Sequence, residues 1–391
     1  MSPSIKLVSL VEATTINAVA KTVLEFYRTL QEHSGISDLP EIEGCVVTFD
    51  RQRDSARPND FVAAAREVGL DVDIIPERRR FDLSVIPALR SIVETRKPDL
   101  MITNSVKSHF LMWRSRLWRK HPWVAFHHGY TDTDRKMRLY NRLDRWSLPH
   151  ADRLVTVCRA FAGDLAGSTG VPLDNISVQH NAIRRGPKAS TAAVAALRKR
   201  LGIGESERVV LSVGRLSREK AHLDLIEAWK SLHETKANVA FKLIIVGDGP
   251  ERSRLEAAID SDDLRAGVIF TGQVKDVYPF YAIADVFALP SQSEGSPNVL
   301  LEAMAANLPV VASAVGGVPE MVADHESALL VTPNDPPSLA AAISNLLADR
   351  VLAQRLATNA GTLVDTRFAP ENYARSLLKI YRMMIDARQT Y

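Results

Sequence analysis

A chain of 391 residues, 46% hydrophobic and 24% charged, is long enough for two domains with separate cores and has an ordinary globular composition. Two cysteines, Cys45 and Cys158, exclude a disulfide framework or thiolate cluster and fit a reducing, cytoplasmic compartment, and no apolar run reaches the eighteen or so residues of a spanning helix. The net charge of +3 is uneven: residues 1–185 carry 27 Lys and Arg against 22 Asp and Glu, the remainder 22 against 24.

Met1–Val11 has no long apolar segment behind a basic start, so Ile5–Val11 reads as a first strand, not a signal peptide. Further strands are expected at Cys45–Phe49, Asp71–Ile75, Leu100–Thr103, Trp123–His127, Leu154–Val157 and Ile176–Gln179. Helical patterns lie among them at Ala18–Leu30, Phe61–Val68 and Val85–Thr95. Residues 101–146 hold ten basic and three acidic residues with Trp113, Trp118, Trp123 and Trp146. Basic side chains interleaved with tryptophan suit an anionic membrane surface, an anionic acceptor or nucleic acid. The plain alternative is a solvated helix face with its tryptophans in the core.

The stretch His180–Pro187 breaks the pattern and reads as a linker before a helix at Ala192–Leu201. A second series of strands is expected at Val209–Val213, Leu243–Val246, Val268–Thr271, Val286–Leu289, Pro309–Ala312 and Ala328–Val331. Continuous apolar strands alternating with helices imply parallel sheets covered on both faces. An amphipathic helix, Phe368–Ile385, closes the chain. The domains are therefore set at 1–185, 186–367 and a terminal helix from 368 to 391.

Residues 289–322 carry the strongest chemical signal. Glu294 stands in a loop after the apolar run Ala284–Pro290, and Glu302 follows eight residues later, about two turns into a helix. Pro297 suits the first turn of that helix, where its missing N–H costs nothing. The N–H groups of Ser296, Asn298 and Val299 would face outward from the helix start, a ready site for phosphate. Two carboxylates beside it accept hydrogen bonds from sugar hydroxyls. A phosphate cradle flanked by hydroxyl acceptors suggests a sugar nucleotide.

The Glu294-x7-Glu302 spacing resembles that of the retaining glycosyltransferases of family four. Val213–Lys220 looks like the family's donor-phosphate loop, and Val246-Gly247-Asp248-Gly249-Pro250 and Phe270-Thr271-Gly272-Gln273-Val274 follow in the expected order. The resemblance is strong from about 205 to 335 and weaker before 180. It implies the GT-B fold: α/β, two Rossmann-like doubly wound parallel-sheet domains facing across a cleft, with the terminal helix returning to the first. It also implies a metal-independent hexosyltransferase-like enzyme. A UDP- or GDP-sugar would be the donor and a glycan or lipid-linked molecule the acceptor. No cofactor and no nucleic acid partner are expected. Residues 101–146 would touch the inner face of an anionic membrane.

The resemblance gives Arg215 and Lys220 the charge developing on the diphosphate, Glu294 the donor sugar and Glu302 the ribose. Gly295, Ser296, Pro297, Asn298 and Val299 complete the donor loop; Val274 offers its backbone to the base, and Gly247 is a weaker candidate. Unpaired with the rest, Arg215 and Lys220 would read as surface cations bridged to Glu219 or Asp224. Ala221 stands where the family has glycine, so a slightly altered turn is expected. His128, with His127 as competitor, matches a histidine beside the transferred sugar. Strand alternation would send one of the two into packing. Thr14 and Thr15 stand where many members have paired glycines, which puts the donor approach on that side in question. Asp132 and Asp134 form an Asp-x-Asp pair, but in the first domain, away from the phosphate site, so no metal is expected there. The competing readings are a non-catalytic nucleotide-sugar binder and an epimerase of the same fold.

Overall fold

The computed structural model describes residues 4–33, 40–50, 59–79, 82–130, 135–187, 189–234, 241–259 and 261–389. They form two compact units, residues 1–181 with 370–391, and residues 182–369.

In the first unit β1 (Ile5–Leu10), α1 (Ala18–Glu32), β2 (Ile42–Asp50), α2 (Asp60–Glu67), β3 (Asp71–Pro76), α3 (Val85–Arg96) and β4 (Leu100–Thr103) alternate strictly. They continue with α4 (Val106–Ser115), β5 (Trp123–His127), α5 (Arg135–Ser147), β6 (Arg153–Thr156), α6 (Arg159–Thr169) and β7 (Ile176–Val178). The sheet is parallel, in the order β3-β2-β1-β4-β5-β6-β7. Every residue of β4 and β5 is buried, which explains why these strands read as unbroken apolar runs. Side chains start the helices at fixed points: Asn17 accepts from the Ala20 N–H, Asn59 from Val62, and Ser105 and Ser108 form a reciprocal capping box.

The second unit runs α7 (Thr191–Arg200), β8 (Arg208–Val213), α8 (His222–Glu234), β9 (Phe241–Val246), α9 (Arg252–Ala257), α10 (Asp262–Gly267), β10 (Val268–Gly272) and α11 (Tyr278–Ile283). It is completed by β11 (Val286–Leu289), α12 (Asn298–Ala305), β12 (Val310–Ser313), α13 (Val318–Met321), β13 (Leu329–Val331), α14 (Pro336–Ala348) and α15 (Arg350–Thr366). Its parallel sheet is ordered β10-β9-β8-β11-β12-β13. Apolar clusters cover both faces, one around Leu211, Phe287 and Met304, the other around Trp229, Ile245 and Ile343.

The last helix, α16 (Pro370–Gln389), belongs to the first unit. Tyr381 meets Phe26 of α1 edge-on at 5.8 Å, and Arg388 reaches Asp152 at 3.0 Å. Residues 182–185 and 368–369, set outside the second domain in the sequence reading, are part of it. The Ile183 N–H bonds to the Phe368 carbonyl at 3.0 Å, and Arg185 forks onto Asp365 at 2.8 and 2.9 Å.

Candidate active site

In an open parallel sheet, ligands sit outside the carboxyl ends of the strands where the winding direction reverses. In the second unit that point lies between β8 and β11. Arg215 and Lys220 follow β8, and Glu294 follows β11. The structure brings two of them together: Lys220 Nζ donates to Glu294 Oε1 at 2.7 Å, and Ser291 Oγ donates to the same oxygen at 2.7 Å. Glu294 is buried, so its carboxylate relies on these donors. Lys220 is thus bridged to Glu294, not to Glu219 or Asp224, while Arg215 is exposed on the loop.

The β8 loop is held by backbone. The Leu216 N–H bonds to the Asp248 carbonyl at 3.0 Å, and the Gln292 N–H to the Glu219 carbonyl at 2.8 Å. Gly247, at φ +137°, lies so close that a Cβ there would fall 1.9 Å from the Gly214 carbonyl oxygen. In this structure it serves loop-to-loop packing. Ala221 takes the left-handed conformation, φ 49° and ψ 37°. Ala221 thus takes the positive φ that the sequence reading had held unfavourable for alanine. The Ala221 N–H bonds to Arg218 O at 3.1 Å and its own carbonyl accepts from Asp224 at 3.0 Å, which offsets a strain of about 1–2 kcal/mol.

Glu302 is buried on α12 and accepts from Tyr281 Oη at 2.9 Å. Burial first, then the Glu302 carboxylate, push the Tyr281 hydroxyl well above its ordinary range, so it stays a donor. Pro297 caps the helix instead of sitting in its first turn: its φ and ψ are −68° and 117°, and its carbonyl accepts from Leu300 at 3.1 Å. Asn298 and Val299 thereby become the first two helical positions. Ser296 is buried, its hydroxyl 3.6 Å from Met321 Sδ; Gly295 and Val274 are half-buried.

Two supports of this site lie outside the motifs. One is Tyr281, which only its burial reveals. The other is Gly316, at φ +52°, where a Cβ would fall 1.9 Å from the Glu294 carbonyl oxygen; the neighbouring Gly317 N–H bonds to that oxygen at 3.0 Å. Gly316→Ala is therefore expected to displace the Glu294 loop and to cost about 2–4 kcal/mol of stability. Urea unfolding measures this; wild-type stability in the variant would show that the loop yields freely.

His222, at the start of α8 beside Lys220, is 3% exposed. Burial, then Lys220, lower its pKa to about 4. The unfolded chain takes up this proton near pH 6.5 and the folded chain only near 4. Stability is thus full above pH 6.5 and is lost toward pH 4, at about 1.4 kcal/mol per pH unit for one histidine. The urea midpoint should fall between pH 7 and 5, less steeply in His222→Gln; parallel slopes would refute the assignment.

In the first unit the switch point lies between β1 and β4. A pocket of about 1240 Å³ opens there, lined by residues after β1, β3, β4 and β5, with exposed Thr14 and Thr15 at its edge. His127 and His128 both line it, so alternation does not send one into packing: His127 is the last strand residue and His128 lies beyond it. His127 Nδ1 is 3.4 Å from Asp144 Oδ2. His128 stacks on Phe126 at 6.3 Å, and among the described residues its buried Nε2 has no hydrogen-bond partner. Burial first, then His127 and His109, lower the His128 pKa to about 4, which keeps the ring neutral at physiological pH.

The tryptophans of 101–146 divide between core and surface. Trp123 is fully buried and donates to Thr103 Oγ1 at 2.8 Å, whereas Trp146 is 55% exposed and packs on Trp113 at 4.1 Å. No helix among the described residues is long and apolar enough to cross a membrane. Asp132 and Asp134 lie outside the described residues.

Comparison with known proteins gives the family and the fold. Residues 194–362 match the family "Glycosyl transferases group 1", and residues 19–182 match "Glycosyl transferase 4-like domain". The chain belongs to the group 1 glycosyltransferases, and its two parallel-sheet units make the GT-B fold. It is 34% identical over 251 residues to a D-inositol 3-phosphate glycosyltransferase of Salinispora arenicola, covering 61% of this chain and 56% of that one. It is 37% identical over 174 residues to the lipopolysaccharide core biosynthesis glycosyltransferase LpsD of Rhizobium meliloti, covering 44% and 49%. The chain spans about half the length of the curated relatives it matches. Among solved structures, HepE of Anabaena in complex with UDP superposes with a TM-score of 0.79 at 20% identity, covering 97% of this chain and 100% of that one. Sucrose-phosphate synthase of Thermosynechococcus elongatus gives 0.77 at 22%, covering 98% and 100%.

Proposed function

We propose that the protein transfers a sugar from a UDP- or GDP-sugar to an acceptor hydroxyl with retention of anomeric configuration. The observation that carries this reading is the Lys220–Glu294 contact at the switch point of the second sheet, with buried Glu302 on the adjoining helix. Donor binding separates the pair. Lys220 and Arg215 turn to the diphosphate, whose charge grows as its bond to the anomeric carbon breaks. Glu294 accepts hydrogen bonds from the sugar, Glu302 from the ribose, and the backbone of Gly295–Val299 surrounds the phosphate. Val274 offers its backbone to the base. The acceptor hydroxyl attacks the anomeric carbon from the face the phosphate leaves, and its proton passes to the leaving phosphate oxygen. His128 is an uncharged hydrogen-bonding group for a sugar bound in the first unit's pocket.

HepE was crystallised with UDP and with UDP-glucose, which favours a uridine donor here. Thermal unfolding against UDP-, GDP- and ADP-sugars tests the reading, because a ligand that binds only the folded state raises its apparent stability. A rise with a UDP- or GDP-sugar is expected, and transfer is expected to persist in EDTA because Arg215 and Lys220 supply the positive charge. A chain stabilised by none of them would end the proposal; loss of transfer on chelation, restored by Mg²⁺, would end its metal-free form. For the acceptor we favour a glycan or lipid-linked molecule at an anionic membrane. Exposed Leu139 and Trp146 stand beside exposed Arg138 and Arg142 on α5. Co-sedimentation with phosphatidylglycerol vesicles, lost in Trp146→Ala with Arg142→Ala, checks this.

A further inference from the structure

The first unit's pocket contains a buried polar cluster to which the proposed reaction gives no task. Asp144 of α5 is fully buried. Its Oδ1 lies 2.5 Å from His109 Nδ1, and its Oδ2 accepts from the Tyr130 hydroxyl at 3.0 Å and lies 3.4 Å from His127 Nδ1. Burial alone would raise the Asp144 pKa, but the charge and hydrogen bond of His109, with those of His127, outweigh it and hold the carboxyl well below its usual range. An ionised carboxylate at this place pairs with His109 Nδ1, with His127 Nδ1 close to its other oxygen.

That arrangement has a consequence on the other side of His109. With Nδ1 paired to Asp144, Nε2 is the ring atom left for another partner, and among the described residues it is buried without one. Asn104, directly after β4, likewise has its Nδ2 buried without a partner among the described residues. Both residues line the pocket that His128 lines. Buried polar atoms are nearly always paired in native proteins, so orphans gathered in one pocket point to a ligand that pairs them. Asn104 Nδ2 is a donor, and His109 Nε2 is an acceptor when the ring proton sits on Nδ1; a hydroxyl, which both donates and accepts, suits either. Among the described residues, the charged side chains lining the pocket other than histidine are all carboxylates, Glu12, Asp50, Asp60, Glu77 and Asp144, with no Lys or Arg. Glu77 is neutralised by buried Lys107, and among the described residues no Lys or Arg lines the pocket to receive a phosphate or carboxylate.

We infer that Asn104 and His109 form a subsite for hydroxyls of a neutral sugar ring, the acceptor's, and that Asp144 is the positioning residue that fixes the His109 tautomer. This rests on the glycosyltransferase reading and specifies its acceptor as a polyhydroxyl ring without negative charge at the point of contact.

Histidine-¹⁵N NMR of the full chain tests it, with His109 assigned by the signal missing from His109→Gln. In the wild type His109 should show a protonated Nδ1 and a bare Nε2. Titration with methyl α-D-glucopyranoside should shift that Nε2 signal, and inorganic phosphate should leave it in place. Asp144→Asn should mix the tautomers, and Asn104→Ala, which leaves the carboxylate intact, should weaken the glycoside titration several-fold while preserving the tautomer. The inference is overturned by a protonated Nε2 in the wild type, by a shift with phosphate alone, by no shift with either, or by an Asn104→Ala titration matching the wild type. Calorimetry with UDP and with GDP on the wild type separates the two levels: binding of neither removes the donor reading, whereas the NMR outcomes concern the first unit alone.

Discussion

Lys220→Ala is expected to reduce transfer by about 10²–10³-fold, the usual scale for removing one charge stabiliser from a reacting site. It should also destabilise the fold. Glu294 is 6% exposed and takes Lys220 Nζ at 2.7 Å, so the variant leaves a buried carboxylate with Ser291 as its remaining hydrogen-bond donor at that oxygen. Lys220 is 24% exposed on its side chain, which limits the cost to about 1–3 kcal/mol. The informative comparison is the double variant Lys220→Met with Glu294→Gln. Removing both charges should restore most of the stability and none of the turnover. Urea unfolding and initial rates measure the two quantities. A single variant that keeps wild-type turnover would remove Lys220 from the reaction.

Glu302→Ala should weaken nucleotide binding by about 1.5–3 kcal/mol, the value of a hydrogen bond to a charged group, or roughly 10–150-fold in Kd. Glu294→Ala should instead act mainly on turnover, because its partner is the sugar and not the nucleoside. Calorimetry with free UDP and GDP decides the first point. Tyr281→Phe removes the hydroxyl that Glu302 accepts at 2.9 Å and should weaken nucleotide binding by a smaller factor. Unchanged affinity in Glu302→Ala would show that the ribose is held elsewhere.

The strands were the most legible part of this chain, because each is a short continuous apolar run between turn residues. β5 and β11 agree with the sequence reading to the residue. Helices with a basic surface carried no comparable signal. α5 reads Arg-Lys-Met-Arg-Leu-Tyr-Asn-Arg-Leu-Asp-Arg-Trp-Ser, and its inward residue Asp144 is an acid among cations. Nothing in its spacing to His109 or Tyr130 announces that they meet, since they come from different elements. The motifs located Lys220, Glu294 and Glu302, but not the Lys220–Glu294 bridge, which depends on β8 and β11 being neighbours. Gly316 and Tyr281 were invisible for the same reason: one matters through a backbone approach, the other through burial. Ala221 misled because intrinsic preference argued against positive φ, and two backbone hydrogen bonds outweighed it.

The second unit is inserted in the chain of the first between residues 181 and 370, and its own two ends are joined by the Ile183–Phe368 hydrogen bond. In genetic terms it is a cassette set inside the coding sequence of the other. During synthesis the order of completion is therefore inverted. The ribosome begins the first unit, then delivers the whole of the second, and only afterwards the helix that carries Tyr381 and Arg388 to their places on α1 and Asp152. Domains generally mature from the amino terminus onward. Here Phe26 lacks its Tyr381 partner until α16 has been made, and a message truncated after Ala369 would yield one finished unit and one unfinished.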